Sequence, residues 1–358
     1  MTIIYTLAAI LMFGILITVH EAGHFFAARL LNIPVREFAI GFGPKLLKWK
    51  RKKHETEFFL RAIPLGGYCA FYGEDDTTGK FIDDSRSFSK HPVWKRILTI
   101  LMGPVMNLLL AFLVAVLLFS FSGIPVPSGP YTTQVESVTE GGAAKAGGML
   151  SGDIILSVDG QVVTDNLPEL LSLDQDKAPM ERVFLVRRVV DGLEREIELT
   201  LTPVFDPVEG RNMIGIMMSI YQPYRSVRGT AGQVLQNAFQ LSLRAGAVVF
   251  NAIRDLFTRG QGIGEVSGVV GITKMIVDEI SQTQLEGYLS LMVIISINLG
   301  LMNLLIIPGL DGSRILFLLI EGVRGKPIKR EAYVHAAGMV LLFALMILIT
   351  FRDIIRLF

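Results

Sequence analysis

Apolar residues along this chain gather into four long blocks, separated by stretches with a different period. Ile3 to Leu31 runs for about 17 residues without a charge before His20, long enough for a helix across a hydrocarbon core of roughly 30 Å. Ile97 to Phe121 and Tyr288 to Leu310 are free of charge, and Ala336 to Phe351 is shorter but adequate with its flanks. These blocks predict membrane-spanning helices at 1–31, 93–121, 288–320 and 332–352. The first lacks the basic start and small-residue cleavage site of a signal peptide, and its apolar run is too long for one. Between the second and third blocks the period falls to two. "TTQVESV" alternates as a half-buried strand does, while "GDIILSVDGQVV" and "RVFLVRRVVDGLEREIELTLTPV" each read as strand, Asp-Gly turn, strand. With "LPELLSL" (Leu167 to Leu173) as a short helix, 122–208 reads as a small mixed domain. In 209–287, Val234, Ala238, Leu241, Ala245, Val248, Ala252 and Leu256 recur at three- and four-residue steps and make one helical face. That face either packs on the small domain or lies on the outer membrane surface.

Composition supports a mixture of membrane and aqueous parts. Of the 358 residues, 51% are hydrophobic and 19% charged, and the mean hydropathy is +0.50. The fold class this implies is a polytopic α-helical membrane protein with four spans and an inserted α+β domain. A net charge of +1 makes no case for nucleic acid as a partner, and Cys69, the single cysteine, excludes an intrachain disulfide framework. Lys and Arg concentrate in "KLLKWKRKK" (Lys45 to Lys53) and "RGKPIKR" (Arg324 to Arg330), which places both segments in the cytoplasm. The first and third spans then run inward, and 122–287 lies outside. The glycines of "RGQGIGEVSGVVGI" follow no strand and precede no Lys-Ser/Thr pair, so they fit a hinge rather than a phosphate loop.

The chemistry sits in "HEAGH", His20 to His24, at the end of the first apolar block. Each ionisable group at membrane depth costs a few kcal/mol or more (about 3 by insertion scales), so its presence there points to function. On a helix His20 and His24 project from one face and offer two of the three protein ligands of a catalytic zinc. Glu21 is offset by about 100° and is near enough to take a proton from water. For a third ligand His54, His91 and His335 lie in loops or at span ends, where solvated histidines are the default. Asp311 in "NLLIIPGLDGSR" is better placed: it ends an apolar run, after Pro308 and Gly309 break the helix. At ~1.5 Å per residue, His20, Asp311 and Asn107 of "GPVMN" come to comparable depth from three spans. His20, His24 and Asp311 make a two-histidine, one-carboxylate set for zinc.

HEAGH, GPVMN and NLLIIPGLDG, on the first, second and third spans, resemble the site-2 protease family of intramembrane zinc metalloproteases. Within it they are similar to the bacterial regulator-of-sigma-E protease branch, and "GFGPKLL" and "IPLGGYCAFYGED" resemble its membrane-associated loop after the first span, which implies a membrane-associated β-hairpin in the cytoplasmic-side loop 32–92. "AAKAGGMLSGDIILSVDG" resembles the alanine-glycine turn and Gly-Asp strand entry of a PDZ domain, with Gly148 as an extra residue. The resemblance implies zinc held by His20, His24 and Asp311, Glu21 as general base, and Asn303 and Asn107 bonded to the substrate backbone. Ile306 stands where the family usually has a second proline, and a single PDZ domain is closer to Gram-positive members.

"TEFFLRAIPLGGYCAFYG" holds two apolar runs around Pro64, Gly66 and Gly67, which suggests a hairpin with one strand left open. An unwound substrate helix adds to such an edge as a strand and so exposes its peptide bond. Cys69 reads as a packing residue. The function implied is zinc-dependent endoproteolysis of single-span membrane proteins, of the anti-sigma-factor or signal-peptide-remnant type. The protein would sit in the lipid of a bacterial plasma membrane, with its active site toward the cytoplasm and its PDZ domain outside. The PDZ domain either binds a peptide or excludes bulky ectodomains. A zinc-bearing scaffold is the alternative, which Glu21 argues against. A metal transporter would need more carboxylates and histidines inside the spans.

Overall fold

The computed structural model describes residues 2–50, 55–73, 85–129, 131–164, 166–167, 170, 180–190, 193–206, 211–260, 268–328 and 331–355. His54, the Asp191-Gly192 turn, most of the helix expected over Leu167 to Leu173 and most of the glycine-rich stretch before Gly268 lie outside the described residues. The chain divides into two compact units, Met1–Gly123 with Gly229–Phe358, and Ile124–Arg228.

The first unit is built from helices α1 (Thr2–Leu30), α2 (Val93–Ser122), α3 (Ala231–Arg259), α4 (Val269–Asn303), α5 (Asp311–Arg324) and α6 (Glu331–Ile355), with strands β1 (Val35–Lys50) and β2 (Glu57–Phe71) after α1. Among the described residues, four stretches are long and apolar enough to cross a membrane: Ile3–Leu30, Val93–Ser122, Thr283–Asn303 and Glu331–Ile355. The chain is a polytopic membrane protein. Its helical core joins Ala9, Met12 and Leu16 of α1 to Ala111, Val114, Ala115 and Leu118 of α2 and to Ile276, Ile280, Leu289, Met292, Val293 and Ile297 of α4. Within α1, within α2, and on either side of the non-helical Gln284 of α4, these positions lie one, three or four residues apart, so one stripe of each helical stretch is buried.

The third span, expected over 288–320, is broken before Asp311 as Pro308 and Gly309 predicted. The helix ends at Asn303, and a separate helix starts at Asp311. Pro308, lacking an N–H, and Gly309, at φ +101°, cannot continue the helix between them. The linker helix, now α3, turns part of its apolar face into this helical core. Its Ala238, Leu241 and Ala245 belong to the core with α2 and α4. A capping box starts this helix, with Thr230 and Gln233 satisfying each other's backbone N–H groups.

β1 and β2 correct the expected hairpin. Glu57–Phe71 is one long bent strand with its partner upstream in β1, so Pro64 to Gly67 is a bend and not the hairpin turn. Val35 to Ile40 lie opposite Phe71 to Gly67, and Lys45 to Lys50 lie opposite Arg61 to Glu57. Glu37 to Ile40 also face Glu57 to Leu60, so the pair doubles back into four segments with Gly67 to Phe71 along one edge. Near α1 the sheet is buried through Val35, Phe38, Phe71 and Phe25. Its far half exposes Phe42, Leu46, Leu47, Trp49 and Ile63. Cys69 packs against the phenylalanine cluster, as expected.

The second unit is rich in strand: β3 (Ile124–Pro127), β4 (Thr132–Val138), β5 (Ile154–Val158), β6 (Gln161–Val162), β7 (Arg182–Val190), β8 (Leu193–Leu201), β9 (Val204–Asp206), β10 (Arg211–Met213), β11 (Ile216–Tyr221) and β12 (Tyr224–Val227). The main sheet has the order β11-β4-β5-β7-β8, with β6 on β5. The expected Asp-Gly turn joins β5 to β6, with Asp159 at φ +50° and Gly160 at φ +75°, the left-handed pair that a tight hairpin requires. The unit runs past the expected limit of 208 to Arg228, because β11 adds to β4 and β12 pairs with β3. Buried Asp153, from the Gly-Asp strand entry, accepts Leu150 N–H and two bonds from Arg188 at 2.7 Å each.

Candidate active site

α1 brings His20, Glu21 and His24 to the end of its apolar run. The two imidazoles lie one turn apart, each 7% exposed, with ring centroids 4.9 Å apart. Asp311 arrives from the far end of the sequence as the first residue of α5, after the break that follows Asn303. Gly312 makes the close turn possible, since a Cβ there would lie 2.1 Å from the Leu304 carbonyl oxygen.

The three side chains converge on one point. His20 Nε2 lies 3.3 Å from His24 Nε2 and 3.1 Å from Asp311 Oδ2, and His24 Nε2 lies 3.5 Å from the same oxygen. Zinc bonds of about 2.0–2.2 Å to N and O place ligands of one tetrahedron about 3.3–3.6 Å apart. The triangle therefore has the size of one face of a zinc tetrahedron. Asp311 Oδ2 is buried, and among the described residues no donor meets it with hydrogen-bond geometry. His24 Nδ1 donates to the Thr99 carbonyl oxygen at 3.0 Å, which leaves Nε2 as the lone-pair nitrogen of a neutral ring. Two imidazoles and a carboxylate, with the nitrogens turned inward and an oxygen lacking a donor, fit zinc.

The other expected residues divide into two groups. Glu21 accepts the backbone N–H of Cys69, and a Cβ on Gly67 would lie 3.2 Å from Glu21 Cγ, so the edge of β2 runs past this carboxylate. Gly66 is one residue further out, against the Phe42 ring. Asn107 is fully buried, and its amide lies 3.2 Å from His20 Nδ1, on the imidazole rather than open to a substrate. Asn303 closes α4 half-buried, and no hydrogen bond among the described residues joins it to the triangle. His91 lies outside the cluster, and His335 is buried rather than solvated, with Nδ1 3.4 Å from Gly309 N and 3.5 Å from Ser313 Oγ.

Sequence reasoning missed two further supports. Arg96 of α2 donates to both Glu321 carboxylate oxygens at 2.6 and 3.1 Å in a buried pair that ties α5, and hence Asp311, to α2. Gly103 forms a floor under the imidazoles, since a Cβ there would lie 2.3 Å from His24 Cε1 and 3.0 Å from His20 Cε1. "GPVMN" contained the glycine, but its role depends on which helix packs against it.

The pattern for Peptidase family M50 matches residues 8–347. The chain belongs to this family. M50 is the site-2 protease family, and this member is a zinc metalloprotease with zinc as its cofactor. It is similar to the "Regulator of sigma-W protease RasP" of Bacillus subtilis (strain 168), at 30% identity covering 98% of both chains. It is also similar to the "Zinc metalloprotease RasP" of Geobacillus kaustophilus (strain HTA426), at 29% identity over 98% of this chain and 97% of the relative. The match spans both units of this M50 protease, including the inserted β-rich one.

Proposed function

We propose that this M50 protease hydrolyses peptide bonds of single-span membrane proteins inside the bilayer, with His20, His24 and Asp311 holding zinc and Glu21 acting as general base. The observation that carries this reading is the triangle of 3.1, 3.3 and 3.5 Å, assembled from α1 and the start of α5 at the ends of apolar spans. Zinc held there supplies a Lewis acid for the scissile carbonyl and makes water more acidic. Glu21 takes a proton from the attacking water at its carboxylate and delivers it to the departing amide nitrogen. The open edge of β2 at Gly66 and Gly67 receives the unwound substrate as an added strand and aligns its carbonyl beside Glu21. Asn303, at the end of α4, binds the substrate backbone.

The substrates are of the anti-sigma-factor or signal-peptide-remnant class. The membrane is the bacterial plasma membrane, with the site toward the cytoplasm. The β-rich unit is a PDZ domain on the outside that binds a peptide end or bars bulky ectodomains. The test is cleavage of a tagged single-span reporter by purified protein in detergent, beside Glu21→Gln. Product from the wild type alone, with a cut inside the span, supports the reading. Equal cleavage by Glu21→Gln removes Glu21 from the chemistry.

A further inference from the structure

Three positions on one face of α2, each four residues from the next, meet the two imidazoles: the Thr99 carbonyl on His24, Gly103 under both rings, and Asn107 on His20. Thr99 fixes the His24 proton on Nδ1, because a carbonyl oxygen only accepts. Asn107 is more ambiguous, since a carboxamide offers either an acceptor or a donor to His20 Nδ1. Donation from Nδ2, the atom 3.2 Å away, would need a lone pair on Nδ1. The His20 proton would then sit on Nε2, in the middle of the triangle. It would also leave Asn107 Oδ1, a buried atom, without a partner among the described residues. A half-turn of the carboxamide lets Oδ1 accept Nδ1–H of His20 and leaves Nε2 free to bind, with Nδ2 turned to the place that Oδ1 held.

We propose that Asn107 is a positioning residue that selects the His20 tautomer and holds the ring on the metal, and that it does not touch substrate. This rests on the reading that His20, His24 and Asp311 hold zinc. The geometry around Asn107 supports the role. The side chain is fully buried, and its own backbone carbonyl accepts Ser296 Oγ–H at 2.7 Å, which ties α2 to α4 at this level. Partners that orient metal-bound histidines through the second ring nitrogen typically change metal affinity by about 10–100-fold when removed. The Thr99 contact and the Asn107 contact then treat the two histidines alike, one with a backbone oxygen and the other with a side-chain oxygen. The role also explains why a carboxamide is retained inside a membrane span, where an unpaired polar group is costly.

The experiment uses the full-length protein in detergent and measures its Zn²⁺ dissociation constant by competition with a chromophoric chelator, with kcat and KM on the reporter at saturating zinc. Asn107→Leu, which cannot accept a bond, should weaken zinc binding by about 10–100-fold and leave KM unchanged. Asn107→Asp, which accepts more strongly, should bind zinc at least as tightly as the wild type, and it keeps the test open if the leucine variant does not fold. Wild-type zinc affinity in Asn107→Leu with a raised KM would overturn the proposal in favour of a substrate contact. A loss in Asn107→Asp as large as in Asn107→Leu would also overturn it. His20→Ala runs alongside: zinc loss there with retention in Asn107→Leu rejects only the role of Asn107, while retention in both rejects the ligand set itself.

Discussion

Replacing Gly103 by alanine adds one methyl group at the point where α2 touches the site. By intrinsic propensity the helix should gain, since alanine is favoured over glycine in a helix interior by about 1 kcal/mol. The site should lose. The new carbon would lie 2.3 Å from His24 Cε1 and 2.4 Å from its Nε2, where ordinary contact begins near 3.4 Å. The ring, or α1 with it, must therefore retreat by roughly 1 Å, the difference between 3.4 and 2.3 Å. Zinc sites tolerate about 0.2 Å in ligand distance, so that retreat takes His24 out of the ligand set. A misplacement of about 1 Å commonly costs on the order of 100-fold in rate. Gly103→Ala should therefore fold, retain less than a tenth of wild-type zinc at limiting metal, and lose about 100-fold in kcat/KM. Zinc by mass spectrometry on the purified protein, together with reporter cleavage, measures both quantities. Full zinc occupancy with wild-type kcat/KM would refute the idea that the imidazoles rest on this glycine.

Three other outcomes follow from the structure. Arg96→Met should destabilise the protein by about 3–5 kcal/mol, because it leaves Glu321 buried and unpaired, while the double variant with Glu321→Leu should recover most of that loss; thermal unfolding in detergent decides. Burial works to raise the Asp159 pKa, but Val183 N–H at 2.9 Å and Arg182 at 2.7 Å hold it below the usual carboxylate range. The stability Asp159 adds is therefore present above its unfolded pKa of about 3.9 and is lost as pH falls below it, so Asp159→Asn should flatten the acid limb of the full chain's stability profile. Glu21→Gln should keep wild-type zinc content yet lose at least about 100-fold in kcat, as removal of a general base does; a parallel loss of metal would show that Glu21 serves the ligand set instead.

The site was legible because a membrane makes ionisable side chains conspicuous. His20, His24 and Asp311 interrupt apolar runs, and the four-residue spacing of the histidines dictates a shared face. Their supports were hidden for physical reasons. The Thr99 contact uses a backbone oxygen that every residue type carries, and Gly103 matters only through the ring packed on it. His335 reads as a solvated histidine near a helix start but packs beside Gly309. Asn107 was visible as a polar residue at the right depth, yet depth alone does not distinguish a substrate contact from a bond to His20. In the fold, the spans and the Asp159-Gly160 turn followed from period and turn chemistry. The β1–β2 pairing did not: charge in "KLLKWK" masked a strand, and its partner was expected within the following segment. β11 and β12 were missed because each reaches a strand early in its unit, a long-range pairing that local periodicity does not report.

X-ray absorption at the zinc edge on the purified, active protein tests the ligand set most directly. His20, His24 and Asp311 predict two imidazole shells and oxygen scatterers at about 2.0–2.2 Å, with no sulfur, and loss of one imidazole in His20→Ala. A sulfur scatterer near 2.3 Å, which only Cys69 or a methionine can supply, or a first shell unchanged in His20→Ala, would contradict it.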